Sequence, residues 1–376
     1  MRPSCGTGLA ARRRRKRRGY KMRTTEVSRL VAACGAALLL AGAAQAGEWT
    51  YDSKKGLITH DDTGWGLRVS VKSGTDLTIT GTAGQERMQL PMPPGLRHLP
   101  LGDAVVGGYR IIGIRAGVFS GNMDFVTSLT LPGSITTIAN DVFVNFGGLT
   151  GVTIPAGVTR IGHYPFAYCR SLASVSIPAS VTSIGENAFA NCDALTGISV
   201  DDANTTYRDI GGVVFSKDGT RLVVCPAGRD GAYEIPAGVT TINDYAFADC
   251  GGLTAVTIPA SVTRIGDSAF SGCDNLTSVA IPDGVLEISR WMFKGCDSLT
   301  DVTIPGSVTA IGYEAFSGCS RLADVTVPDS VTFIGKKAFA GCSDLASITL
   351  PASVTELGVE AFPEATRVIR LRLRGN

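Results

Sequence analysis

Residues 276–298 read LTSVAIPDGVLEISRWMFKGCDS, and the physical reading of this one stretch decides the fold. Leu276, Val279 and Ile281 keep an L-x-x-L-x-L spacing. On a short strand, alternation turns Val279 and Ile281 to one side and Ser278 and Ala280 to the other. Pro282 follows, and its missing N–H ends the strand. Val285 and Ile288 mark a second short extended piece. Phe293 and Cys296, three residues apart, are spaced for a single helical or 3-10 turn whose inner side closes the coil. A unit of this size cannot bury its own apolar side, so it needs copies of itself.

The copies are there. Prolines fall at 132, 155 and 178, then at 236, 259, 282, 305, 328 and 351. Phe143, Phe166, Phe189, Phe247, Phe270, Phe293, Phe316, Phe339 and Phe362 keep the same 23-residue beat, as do Cys169, Cys192, Cys250, Cys273, Cys296, Cys319 and Cys342. The single irregular step, from Pro178 to Pro236, is 58 residues, one period plus 35. Nine units in one register specify a solenoid: parallel sheet strands stack coil on coil, and the Phe and Cys columns form the core.

The repeat also resembles a known family. Leu253–Cys273 (LTAVTIPASVTRIGDSAFSGC) and Leu322–Cys342 (LADVTVPDSVTFIGKKAFAGC) look like the BspA-like leucine-rich repeats of bacterial and protist surface proteins, and the match runs from about Phe119 to Phe362. The resemblance implies a leucine-rich-repeat solenoid, a cell-surface or secreted location, and adhesion or protein binding. It implies no catalytic residues. The 35-residue addition is also similar to that family. Within it, Tyr207 to Pro226 (YRDIGGVVFSKDGTRLVVCP) reads as two apolar strands around an Asp218-Gly219 turn, a hairpin expected to protrude from about 199–235.

Outside the array the chain reads in three pieces. Residues 1–46 are a leader. With Met22 as the start, a basic n-region (Arg23 and Arg29, with Lys21 just upstream) precedes an apolar run Leu30–Gly42, and Ala44-Gln45-Ala46 offers a small-x-small cleavage site. The run is too short for a membrane span, which takes ~20 residues. Gly47 to Gly108 has alternating segments such as Leu67–Val71 and no repeat, and reads as a β-rich capping module. The solenoid is assigned to 109–366. Residues 367–376 (RVIRLRLRGN) suit a last edge strand with a charged outer side.

The charge balance follows this division. Residues 1–46 carry eleven of the 35 Lys and Arg and one of the 33 Asp and Glu, leaving 24 bases against 32 acids in the remainder. An acidic mature chain argues against nucleic acid as a partner. The run Arg12–Arg18 sits directly upstream of the export signal and belongs to the leader. His60, His98 and His163 are the only histidines, with no common spacing, and no nucleophile elbow, phosphate loop or zinc motif occurs. No enzyme, metal site or cofactor is expected. The repeat cysteines read as reduced packing residues, pointing in parallel into the core.

Recognition is expected where coils differ while the core stays fixed. Two residues before the core Phe stand Asp141, Tyr164, Asn187, Tyr245, Ser268, Trp291, Glu314, Lys337 and Glu360. Tyr164, Tyr245, Trp291 and, in a second variable column, Phe333 are large groups among polar neighbours, and exposed aromatics anchor protein and sugar recognition. Tyr207, Arg208, Lys217 and Arg221 on the hairpin are the other candidates. The expected partner is an extracellular protein or glycan. A structural spacer that self-associates is the alternative.

Overall fold

The computed structural model describes residues 123–371 continuously. Before them it describes the strands Trp49–Asp52, Leu57–His60, Gly66–Ser73, Asp76–Ala83, His98–Pro100 and Arg110–Ile114, with residues 116, 117 and 119. The leader and Met22 lie outside the described residues, as do residues 372–376 of the tail.

Each coil contributes to three stacked ladders. The first holds the L-x-x-L-x-L strands, such as Ser128–Thr130, Gly151–Thr153 and Ser174–Ile177, paired parallel in register one period apart. The second holds two-residue strands such as Thr137–Ile138, Arg160–Ile161 and Ser183–Ile184, also parallel. Thr side chains reinforce the second ladder. Thr159, Thr182, Thr332 and Thr355 each donate Oγ1 to the carbonyl of the Thr one coil earlier. These hydroxyls are thereby committed to the backbone, and their place on the solvent side needs no ligand to explain it.

The third ladder is built around the core Phe. No helix, α or 3-10, occurs there among the described residues, so the single helical turn expected for the Phe–Cys segment is replaced by consecutive turns. Bonds such as Ala167 N–H to the Tyr164 carbonyl and Cys169 N–H to the Phe166 carbonyl close four-residue turns. The position two before each Phe, and the position two after each Phe from Phe143 to Phe339, however, have positive φ, for example Tyr164 at 54° and Tyr168 at 61°. A helix needs an unbroken run of right-handed residues, and these left-handed ones interrupt it. In exchange, alternate N–H groups all point toward the next coil. Asp141, Phe143 and Asn145 donate to the carbonyls of His163, Pro165 and Ala167, and the pattern repeats up the stack.

Inside, the Phe rings form columns. Phe119, Phe143, Phe166 and Phe189 stack in one, and Phe247, Phe270, Phe293, Phe316, Phe339 and Phe362 in another, with centroids 4.9 to 5.8 Å apart and planes within 17°. All seven repeat cysteines are free and buried. In the regular coils each thiol donates to the carbonyl of the Phe one coil earlier, as Cys296 does to Phe270 at 3.1 Å. Burial pushes the Cys169 thiol up to about 12, far from a reactive thiolate.

At the N-terminal end the first four strands form an antiparallel meander that continues, parallel, into Arg110–Ile114. His98–Pro100, inside the segment read as a cap, pairs parallel with Ser128–Thr130 and begins the first ladder. Sheet and solenoid therefore interlock instead of dividing cleanly at residue 108. At the other end, Arg367–Arg370 pairs parallel with Ser347–Leu350 and carries exposed side chains along its whole length.

The 35-residue addition is not a protrusion. Three strands, Tyr207–Ile210, Val213–Ser216 and Arg221–Val224, pair antiparallel in sequence order, and the last continues the second ladder by pairing parallel with Thr241–Ile242. Val213 to Ser216 are buried on both sides of their strand. Alternation sends Val214 into the N-terminal core and Val213 and Phe215 into the C-terminal one, so this strand is a wall between two hydrophobic cores. The sequence signal for a central strand was present: Gly212-Val213-Val214-Phe215 is apolar on both alternations, as a strand covered on both sides must be. Entry into the insert is pinned by Asn204, fully buried. Its Nδ2 donates to the carbonyls of Pro178 and Val181, and its Oδ1 accepts from the N–H groups of Thr206 and Tyr207.

Candidate functional site

The variable position two before each Phe has a backbone property that its residue identities hide. Asp141, Tyr164, Asn187, Tyr245, Ser268, Trp291, Glu314, Lys337 and Glu360 all have φ between 49° and 59°. Left-handed backbone costs an L-residue with a Cβ roughly 1–2 kcal/mol, and glycine avoids that cost. The chain has 46 glycines, yet in this column it uses one only at Gly117, two before Phe119 in the degenerate first coil and also at positive φ, and none in the nine regular coils. The matching position two after the Phe contrasts with this. It is Asn145, Tyr168, Asn191 and Asp249 in the earlier coils and Gly272, Gly295, Gly318 and Gly341 in the later ones, again with positive φ. One column thus relaxes to glycine in the later coils, while the other keeps a side chain, varied from coil to coil, on every regular coil.

Neighbours within that column touch. Asn187 Nδ2 donates to Tyr164 Oη at 3.1 Å. The Tyr245 hydroxyl is pushed above its ordinary value, by burial first and by Tyr164 next, against a lowering hydrogen bond with Ser268. Trp291 meets Tyr313 edge-on at 5.4 Å. Glu314 accepts from Lys294 at 2.6 Å, which holds its carboxyl below the usual range. The result is a ridge of contacting, chemically varied side chains along one side of the stack.

The sequence matches the family described as BspA type leucine-rich repeat region, in six copies, over residues 110–223 and 240–368, more than half of the chain. The chain belongs to the BspA-type leucine-rich repeat family. Several solved structures are similar to this chain. The pneumococcal vaccine antigen PcpA is 18% identical, over 88% of this chain and 89% of its own, with a TM-score of 0.50. A leucine-rich cell surface protein from Faecalibacterium prausnitzii is 23% identical, over 88% of this chain and 97% of its own, with a TM-score of 0.44. A leucine-rich repeat protein from Bacteroides ovatus is 20% identical, over 88% of this chain and 100% of its own, with a TM-score of 0.35. Comparison with curated proteins finds no match. No helix among the described residues is long and apolar enough to cross a membrane.

On this BspA-type scaffold the eight sequence-derived candidates separate. Tyr164, Tyr245 and Trp291 lie in the left-handed column, Tyr164 being 37% exposed. Phe333, 38% exposed, sits in the second ladder on the strand Phe333–Ile334, a different side of the coil. Tyr207 is corrected from surface candidate to core residue. It is buried, and its hydroxyl accepts from the Ile184 N–H and faces the Thr182 carbonyl. Arg208, Lys217 and Arg221 are exposed around the insert's turn. Lys217 Nζ donates to the Asp202 carbonyl at 3.0 Å, and the Arg208 guanidinium lies beside Gly219. Asp218 holds that turn, accepting from Ser216, the Thr220 N–H and the Thr220 hydroxyl, which keeps its carboxyl down at about 2. The sequence reading missed Tyr168, 42% exposed and left-handed. Its signal was legible as the one large residue in a column that otherwise holds Asn, Asp and Gly.

Proposed function

We propose that this chain is an exported recognition protein, secreted or held at the cell surface, that binds a protein or glycan through the left-handed column and performs no catalysis. The observation that carries the reading is the retention of nine side chains of seven kinds where glycine would relieve the backbone. Strained backbone kept coil after coil has to be compensated by something, and a binding surface is the use that variation between coils supports. Tyr164, Tyr245 and Trp291 serve as its anchors, with the charged coils of Glu314, Lys337 and Glu360 as flanking polar contacts. The family's cell-surface members and the export-type leader support the location.

The test follows from the backbone. Changing Tyr164, Tyr245 and Trp291 to Gly keeps the left-handed geometry while deleting the anchors, so lost binding cannot be assigned to unfolding. Wild type and triple variant are screened against arrays of glycans and extracellular-matrix proteins. Binding lost in the variant supports the column. Binding kept moves the site to Phe333 or to the insert's Arg208, Lys217 and Arg221. A second reading, end-to-end self-association, is favoured by the exposed Leu357, Val359, Val368, Ile369 and Leu371 at the last coil. Sedimentation over a range of concentrations separates it from the first.

A further inference from the structure

The third ladder is interrupted once. The coils of Phe143, Phe166, Phe247, Phe270, Phe293 and Phe316 each donate three N–H groups to the next coil. The coil of Phe189 donates none: among the described residues no acceptor meets the N–H of Asn187, Phe189 or Asn191. On the far side, the carbonyls of Asp244, Ala246 and Ala248 stand in the accepting register. The insert satisfies only the middle one, through Cys225 N–H at 2.7 Å. The two walls enclose a cleft of about 60 Å³, with Val223, Val224 and Cys225 as its floor and Asn187, Asn243, Asp244, Tyr245 and Ala248 around it. One missing rung leaves the walls about 10 Å apart, twice the usual strand spacing. The volume holds roughly four to six waters, the bulk of one or two peptide units.

We infer that this cleft is a docking slot for the main chain of an extended peptide from a partner protein, with small side chains at the buried positions. A trans peptide unit points its C=O and its N–H in opposite directions. One wall of the slot offers only N–H groups and the other only carbonyls, so the unit that fits restores the missing rung on both sides, as strand addition does at a sheet edge. An anion satisfies one wall and is repelled by the surroundings. Glu186 and Asp244 line the slot, and Asp249 crosses its rim to accept from Asn191 Nδ2 at 2.7 Å. His163 lies 3.9 Å from Glu186, Arg264 pairs with Asp244 at 3.2 Å and Arg170 faces Asp193 at 4.0 Å, so the acids around the slot, Asp249 included, outnumber the basic groups that meet them. The charge favours a peptide with basic residues flanking the small ones. This goes beyond the column reading and does not depend on it, since the slot is made of backbone.

The test uses the full chain and the probe acetyl-Lys-Gly-Ala-Gly-Lys-amide, followed by amide NMR. A second probe is N-methylated at its Ala and second Gly, which removes N–H groups while leaving side chains and charge unchanged. The expected result is that the first probe shifts the Asn187, Phe189 and Asn191 amide signals. The methylated probe should bind at least about tenfold more weakly, the worth of one net hydrogen bond. Ala248→Leu, which fills the slot, should abolish the shifts while leaving the Phe270 and Phe316 amides unmoved. Equal binding of both probes overturns the inference, as does the absence of shifts at millimolar probe. It is equally overturned if those three amides are as protected from hydrogen exchange in the free protein as the amide of Phe166, because the slot is then already filled.

Discussion

Replacing Phe316 by Ala is the sharpest test of the core. The ring is fully buried and stacked on both sides, 5.3 Å from Phe293 and 5.1 Å from Phe339. Phe-to-Ala changes in cores cost about 3–5 kcal/mol in transfer and cavity terms. Two lost ring contacts, each worth about 0.5–1.5 kcal/mol, place this site at the upper end of that range. Phe362 is the internal control. It is only partly buried and stacks on one ring, Phe339, at 5.4 Å, so its removal should cost about half as much, near 2 kcal/mol. Urea unfolding followed by Trp291 fluorescence reads both, since Trp291 sits in the array one coil from Phe316. A stack that contacts only its neighbours should also lose cooperativity when weakened in the middle, broadening the Phe316→Ala transition more than that of Phe362→Ala. A Phe316→Ala cost below about 2 kcal/mol, or one no greater than that of Phe362→Ala, refutes the column as the source of stability.

Three further outcomes are expected. Asn204→Ala strands two carbonyls and two N–H groups at the insert's entry, and should cost about 3 kcal/mol or more in urea unfolding; a loss under about 1 kcal/mol means water replaces the side chain. The eight array cysteines are all buried, so they should ignore Ellman's reagent in a Cys5→Ser/Cys34→Ser background until urea unfolds the chain, and a thiol reacting in the native protein would place the column at the surface. Asp249 is pushed up to about 6, by burial first and by Asp274 and Asp193 next. The folded chain therefore binds that proton more tightly than the unfolded one, and the associated stability is present below pH ~4 and lost as pH rises through about 6. Asp249→Asn should raise the melting temperature at pH 8, by an amount reflecting about 1–2 kcal/mol after screening at a partly exposed site, and leave it unchanged at pH 4. An equal gain at both values points away from charge.

The array was legible because its signal is redundant: Pro, Phe and Cys each repeat the same period, and the strand spacing L-x-x-L-x-L fixes which side is buried. Backbone handedness was not. The residues of the left-handed column are Asp, Tyr, Asn, Ser, Trp, Glu and Lys, and nothing in those identities marks positive φ. Only the position two after the Phe, with glycine in four coils, hints that the segment cannot be helical. The helical turn inferred from the Phe-to-Cys spacing is absent for that reason, since four-residue turns share the three-apart spacing without the helix. Tyr207 misled for a different reason. A Tyr next to an Arg in an irregular segment reads as surface, whereas the structure buries its ring and gives its hydroxyl a backbone partner at Ile184.

The irregular step of 58 residues holds the rest of the argument. Two full coils need 46, so the chain carries 12 residues too many between Pro178 and Pro236. They are spent on the strand pair Tyr207–Ile210 and Val213–Ser216, which walls one core from the other. What remains supplies a second-ladder strand, Arg221–Val224, but only one third-ladder rung, at Cys225. A solenoid extended purely for length needs neither the wall nor the gap, and a 23-residue coil at this place would stack Phe189 onto the next ring with no break. The break leaves three backbone donors facing two acceptors across the width of one strand, with Tyr164, Asn187 and Tyr245 of the left-handed column beside its mouth. That backbone functionality and the varied side chains converge on the one place where the repeat departs from its period is the strongest reason to read this protein as a binder rather than a spacer.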